Sequence, residues 1–275
     1  MDVIKQRDNA KKVLFQALEN NHGDTKNQAV VAAIENLASL NPNSAPTENG
    51  DLLEGNWLLI NAPNFPDRQN DSQGRYIYTL GRLAFNMFEP VKLLVEIDRV
   101  FQPIFPTGNG NELTHDIVVE FKTIDENMPQ LKGIVKNLAV CSPKDKDSLE
   151  VKFTGGELIP LEINEPSKIT EWLTVFDRKS QLSLSERFMS TFVKWMFGIS
   201  KVSNIASQTG KKTFTMSKSP KGILKVLYLD EELRITRGNR ETILICQRQV
   251  GRCIPTGWFR INEEIFISAI PNFQR

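Results

Sequence analysis

Two histidines and three cysteines are the chain's whole supply of imidazole and thiol groups, which limits its chemistry at once. His22 falls in Asn21-His22-Gly23-Asp24, a helix-stop sequence, and His115 falls on a strand far away in the chain. No Gly-x-Ser-x-Gly elbow accompanies either histidine. Neither sits in a cluster with metal-ligand spacing. Cys141, Cys246 and Cys253 are an odd set without metal spacing, which fits a reducing compartment. Gly108-Asn109-Gly110 contains Gly-x-Gly, but no helical pattern follows it, so it reads as a hairpin turn rather than a phosphate cradle. No acid–base pair or nucleophile is organised. The sequence therefore assigns no catalytic residue, no metal and no cofactor, and points away from an enzyme.

Other residues carry chemistry of a different kind. Leu233-Arg234-Ile235-Thr236-Arg237 alternates with period two, so Leu233, Ile235 and Arg237 share one strand face. An arginine on an apolar face has two readings: Gly238 ends the strand and Arg237 reaches solvent, or Arg237 lies over an aromatic ring. His115 shares the parity of Ile117 and Val119, so it is either hydrogen-bonded inside the fold or in contact with a ligand.

The elements that position these residues follow from periodicity. Val13, Leu14, Ala17 and Leu18 recur at helical spacing, and Val30, Val31, Ile34, Leu37 and Leu40 do so again before Asn41-Pro42. A polar linker leads to Leu52–Ile60, the first strand. From Tyr76 onward the chain alternates: Ile77, Leu83, Phe85 and Met87 on one face, then Leu93, Val95, Ile97 and Phe101, then Ile117, Val119 and Phe121. Further strands are expected over Ile134–Val140, Leu149–Phe153 and Leu158–Leu161, broken at Gly155-Gly156. Between Asn164 and Lys212 the strand pattern lapses. There Phe188, Phe192, Trp195 and Met196 lie in an apolar arc of roughly 160° on an expected helix. The strands resume at Thr213 and finish with Ile223–Leu229, Leu233–Arg237 and Thr242–Cys246. About ten strands with helices before and within suit a closed up-and-down barrel, with a β-sandwich as the competitor.

Composition sets outer bounds. A formal net charge of +1 gives no global pull towards nucleic acid. No apolar run approaches the ~18 residues needed to cross a bilayer. Met1-Asp2-Val3-Ile4-Lys5 reads as neither a signal peptide nor a transit peptide.

Three segments carry a resemblance. They are Leu37-Ala38-Ser39-Leu40-Asn41-Pro42 with Leu52-Leu53-Glu54-Gly55-Asn56-Trp57-Leu58-Leu59, Gly81-Arg82-Leu83-Ala84-Phe85-Asn86-Met87-Phe88, and Tyr228-Leu229-Asp230-Glu231-Glu232-Leu233-Arg234-Ile235-Thr236-Arg237-Gly238. Through them the chain, over about residues 5 to 248, resembles the plastid lipid-associated protein family, the plant and cyanobacterial fibrillins. The resemblance implies a lipocalin-like barrel, occurrence in photosynthetic organisms, and association with thylakoids or plastid lipid bodies. It also implies carriage or sequestration of a hydrophobic molecule such as a carotenoid, a prenylquinone or a lipid. Gly55-Asn56-Trp57 is similar to the first-strand motif of lipocalins, in which the tryptophan plugs the barrel and a late arginine, here Arg234 or Arg237, packs over it.

The expected architecture is then mainly β. A helical segment over residues 1–45 precedes a lipocalin-like antiparallel barrel over 52–250, with an amphipathic helical insertion at about 165–211 and a tail over 251–275. Expected ligand-contacting residues are Phe85, Val95, Ile97, His115, Val119 and Phe121. Phe188, Phe192, Trp195 and Met196 are the expected lid or membrane helix, with burial against the barrel wall as the plainer reading. Gly55, Trp57, Arg234 and Arg237 are the expected closure. The expected function is non-catalytic binding of a hydrophobic small molecule or lipid, with peripheral contact to a thylakoid membrane and no nucleic acid. The expected location is cytoplasmic or thylakoid-peripheral for a cyanobacterial protein, and the plastid for a mature plant form. The rival function is a ligand-free structural or adaptor protein docking on membrane or protein partners.

Overall fold

The computed structural model describes residues 2–69, 71–125, 128–162, 165–177, 198–199, 202–219 and 221–249. Two helices come first. α1 (Val3–Asn20) begins at Asp2, whose side chain accepts the Ile4 N–H, and α2 (Gln28–Ser39) at Asn27, whose side chain accepts the Ala29 N–H. A 3₁₀ turn (Pro46–Glu48) and the short α3 (Gly50–Leu53) lead into the sheet.

The remaining elements are β1 (Gly55–Leu59), β2 (Ile77–Thr79), α4 (Leu80–Leu83), β3 (Leu94–Ile104), β4 (Leu113–Thr114), β5 (Ile117–Thr123) and β6 (Lys132–Pro143). After them come β7 (Ser148–Pro160), α5 (Pro166–Phe176), β8 (Lys212–Thr215), β9 (Lys221–Leu229), β10 (Leu233–Gly238) and β11 (Ile243–Arg248). These are eleven strands of one antiparallel sheet, ordered β4-β6-β5-β3-β1-β11-β10-β9-β7-β8, with β2 on β3. An added β6–β7 pairing brings the row back on itself, so the sheet closes partly in a ring. The closure is partial because β9 pairs with β7 only over Ser148–Lys152; from Gly155 onward β7 turns to β8.

Two apolar clusters line the inside of this ring. One gathers Val95, Ile97, Val100, Val119 and Phe121 with Trp172, Val175 and Phe176 of α5, so α5 stops that end. The other gathers Trp57, Ile104, Ala139, Cys141, Leu229 and Cys246. Leu59 and Phe153 pack against both clusters, so the apolar lining is continuous between the ends. A third cluster lies on the outer face. There Leu14, Leu18, Val30, Ile34 and Leu37 of α1 and α2 cover Tyr228, Leu233, Ile235 and Ile245.

Several expectations change here, each for a local reason. Phe85 is not on a strand: it follows α4 with φ of 52° and is 39% exposed, edge-on to Phe153 at 5.2 Å. A bulge between Ile97 and Arg99 reverses the parity of β3, so the inward run continues through Val100, Gln102 and Ile104. Phe101 consequently turns outward to Val118 and Ile134. Gly155-Gly156 does not break the sheet but lies inside β7, where the backbone of Phe214 on β8 comes too close for any side chain on Gly155. Phe188, Phe192, Trp195 and Met196, and the tail 251–275, lie outside the described residues.

Candidate functional site

Trp57 is wholly buried where β1 leaves α3, and its Nε1 donates to the Leu53 carbonyl at 2.8 Å. Two guanidinium groups stand over its ring, Arg234 at 5.0 Å and Arg248 at 4.4 Å from the centroid. Arg248 also ties the end of the ring together, donating to Leu52 O at 2.6 Å, to Glu231 O at 2.6 Å, and to Glu54 O. It crosses directly over Gly55, whose φ of 141° and missing Cβ leave the space its guanidinium occupies.

Arg237, the arginine favoured by parity, does not take part. It is half-exposed and pairs with Glu241 at 3.4 Å. The reason is that Leu233 and Ile235 face outward beneath α1 and α2, which leaves Arg234 and Thr236 on the inward face. Arg248 was not singled out in the sequence, though its register partner is Trp57 and it lies two residues beyond the inward Cys246.

Behind the tryptophan lies a buried polar cluster. Arg234 is 1% exposed, and its Nη2 donates to Gln102 Oε1 at 2.5 Å. Cys246 Sγ donates to the same oxygen at 3.6 Å. His115 is 2% exposed and is fixed by its backbone N–H, which donates to Ala139 O at 2.7 Å. Both of its ring nitrogens lack a hydrogen-bond partner, as do Nε and Nη1 of Arg234 and Oγ1 of Thr236. No carboxylate among the described residues forms an ion pair with Arg234. Burial, and secondarily the Arg234 charge, push the His115 pKa down to about 3. Burial pushes the Cys141 thiol up to about 12, and that of Cys246 upward as well, with Arg234 opposing both. At neutral pH the imidazole and both thiols are uncharged. The arrangement holds unpaired polar groups in the interior, not a poised acid, base or thiolate.

The apolar candidates divide. Val95, Ile97, Val119 and Phe121 are buried in the inward cluster with the ring of Phe121 6.5 Å from Trp172, whereas Phe85 stands at its exposed edge. A separate groove of about 570 Å³ runs outside, between α1 and the sheet, lined by Phe15, Leu18, His22, Ile60, Tyr76 and Arg99 among others. Among the described residues no group of His, Cys, Asp and Glu could hold a metal ion, and no helix is long and apolar enough to cross a membrane.

Plastid lipid-associated protein 1 of Brassica campestris is 23% identical over 78% of this chain and 58% of its own length. Plastoglobulin-1 of Pisum sativum is 25% identical over 75% of this chain and 50% of its own. Chromoplast-specific carotenoid-associated protein C2 of an Oncidium hybrid is 24% identical over 77% and 58%. The chain thus spans about half the length of the curated relatives it matches. No solved structure matches it. The PAP_fibrillin family model covers residues 9–247, nearly the whole ring and both outer helices, and the chain belongs to that family.

Proposed function

We propose that this chain binds a hydrophobic small molecule, a lipid, carotenoid or prenylquinone, without transforming it, inside a lipocalin-like barrel. The carrying observation is the continuous inward lining, which joins the cluster around Phe121 to the cluster around Trp57 through Leu59 and Phe153. A wall of this kind suits an apolar guest, since apolar sites need few polar groups to orient what they hold. The names of the relatives, lipid- and carotenoid-associated proteins of chloroplasts and chromoplasts, support the same class of guest. The protonated thiols and neutral imidazole support binding over catalysis. Its place would be the surface of a photosynthetic membrane, plastid or cyanobacterial.

One observation favours the rival reading. Trp172, Phe176, Phe88 and Phe214 are all fully or nearly fully buried and fill one end of the ring with aromatic mass, as an adaptor with a packed interior would. The test is incubation of the purified chain with a carotenoid, a prenylquinone and a galactolipid, followed by native mass spectrometry and extraction. One guest per chain, recovered unaltered, is the expected result. An apo mass after every incubation, with unimpaired flotation on liposomes, would establish the adaptor instead.

A further inference from the structure

We infer that the buried cluster of Arg234, His115, Thr236 and Gln102 is a binding site for a carboxylate, the anionic head of an amphipathic guest whose apolar part lies along the inward wall. This rests on the binding function proposed above and adds the polar end of the guest.

The reasoning starts from an unbalanced charge. Arg234 is inside the ring at 1% exposure, and the carboxylates that neutralise other cations are elsewhere: Asp230 takes Lys11, Glu120 takes Arg99, and Asp116 takes Lys136. A guanidinium taken from water with no counter-charge is strongly disfavoured, and removal of its solvent is compensated only by good partners. Arg234 has only neutral partners, Gln102 with the Cys246 thiol beside it, and a tryptophan face; its Nε and Nη1 carry no hydrogen bond. The neighbouring orphans match it. His115 supplies two ring nitrogens and Thr236 a hydroxyl, all buried and all unpartnered.

Arg248 adds a second positive group over the same indole, although its donors are taken by carbonyls. Glu54, Asp230 and Glu231 offset the charge of Arg248, whereas no carboxylate among the described residues pairs with Arg234, and the free atoms beside it are those that bind an oxyanion. A neutral carbonyl, such as that of a quinone, would satisfy hydrogen bonds but leave the charge uncompensated. A carboxylate does both. Its chain would meet Cys141, Ile104 and Ala139 first and then, past Leu59 and Phe153, the residues around Phe121.

Three probes below their aggregation limits separate the sources of this chemistry: oleate, oleyl alcohol and acetate. Each would be titrated into the full chain by calorimetry, and the histidine ring resonances followed by NMR. The chain has only two histidines, so His22→Gln assigns them. Oleate should bind about tenfold or more tightly than oleyl alcohol, and should move the His115 resonances while leaving those of His22 in place. Arg234→Gln should remove most of that preference while changing alcohol binding by less than about twofold. Should Arg234→Gln fail to fold, Thr236→Val removes one hydroxyl at constant shape and should reduce the preference in part.

Equal affinity for oleate and alcohol with His115 unmoved overturns the carboxylate site and leaves apolar binding standing. Perturbation of His22 alone overturns it in favour of the groove beneath α1. Acetate binding as tightly as oleate overturns the amphipathic guest and makes this a site for small free anions. No binding of either long-chain probe overturns the carboxylate site, while the incubations with carotenoid, prenylquinone and galactolipid decide the binding function separately.

Discussion

At Trp57 two cations share one ring, and the residues around them differ in what holds them. A cation–π contact of this buried kind contributes about 0.5–2 kcal/mol. Arg248 adds three backbone carbonyls reached by a planar fork, which an ammonium cannot reproduce. Arg248→Lys should therefore lower unfolding free energy by about 1–3 kcal/mol in denaturant melts, although charge is conserved. A change indistinguishable from zero would mean the fork is not a tie. His115 makes a second, pH-dependent prediction. Unfolded, it takes a proton near 6.5; folded, it resists until about pH 3. Between those values the unfolded chain binds more protons, so this contribution is complete above 6.5 and lost as pH falls. The slope approaches about 1.4 kcal/mol per pH unit. The difference in stability between wild type and His115→Leu should follow this slope between pH 6.5 and 4. Parallel profiles would show that His115 is already paired.

Among the elements, α1 is fixed by one lysine and an acidic turn. Lys11 reaches Asp230 at 2.6 Å and Glu232 at 2.9 Å, between β9 and β10. Burial acts to raise the Asp230 pKa, but Lys11, the Tyr228 hydroxyl and two backbone N–H groups outweigh it and hold the carboxyl below its usual range. Burial likewise acts to lower that of Lys11, and the two carboxylates outweigh it. The depressed acid loses its contribution as pH falls below the ordinary Asp value of 3.8, and the raised lysine loses its own as pH climbs beyond 10.5. Docking is strongest between. Lys11→Met should speed hydrogen exchange in α1 near neutrality while leaving β5 and β6 protected; unchanged exchange would assign the docking to apolar contacts alone.

This same region shows where the sequence could be read and where it could not. Period two locates β9, β10 and β11, but it points the apolar face of β10 inward, because a sheet with one wet face hides its apolar residues inside. Two helices cover the other face, so Leu233 and Ile235 are just as apolar while facing outward. Arg234 is legible in the sequence; His115, expected on a strand, lies in the two-residue gap between β4 and β5 and is buried there. Gln102 was hidden by the bulge after Ile97, which only pairing reveals. Arg248 had no pattern of its own; its register opposite Trp57 is a long-range fact.

At the scale of the whole molecule, one sheet has cores on both faces, and the outer one belongs to residues that could pass for an appendage. Isolated helices of 12 to 18 residues are marginal in water. α1 and α2 gain their stability from Tyr228, Leu233, Ile235 and Ile245, on strands that close the ring. Leu14 is fully buried in that contact. Leu14→Ala should cost about 2–5 kcal/mol and be felt globally, since the strands it covers also carry Arg234 on their other face. We therefore expect residues 1–45 and the ring to melt as one unit, with far-UV and near-UV transitions that coincide. Deleting 1–45 would expose an apolar patch of several hundred Å², large enough to drive self-association. Size-exclusion chromatography should show the truncated chain as oligomers or aggregate where the full chain elutes as a defined species. If the truncated chain instead elutes at the volume expected for its monomer and melts at the full chain's temperature, the helical segment is a separate unit, and the two faces of the sheet are energetically independent.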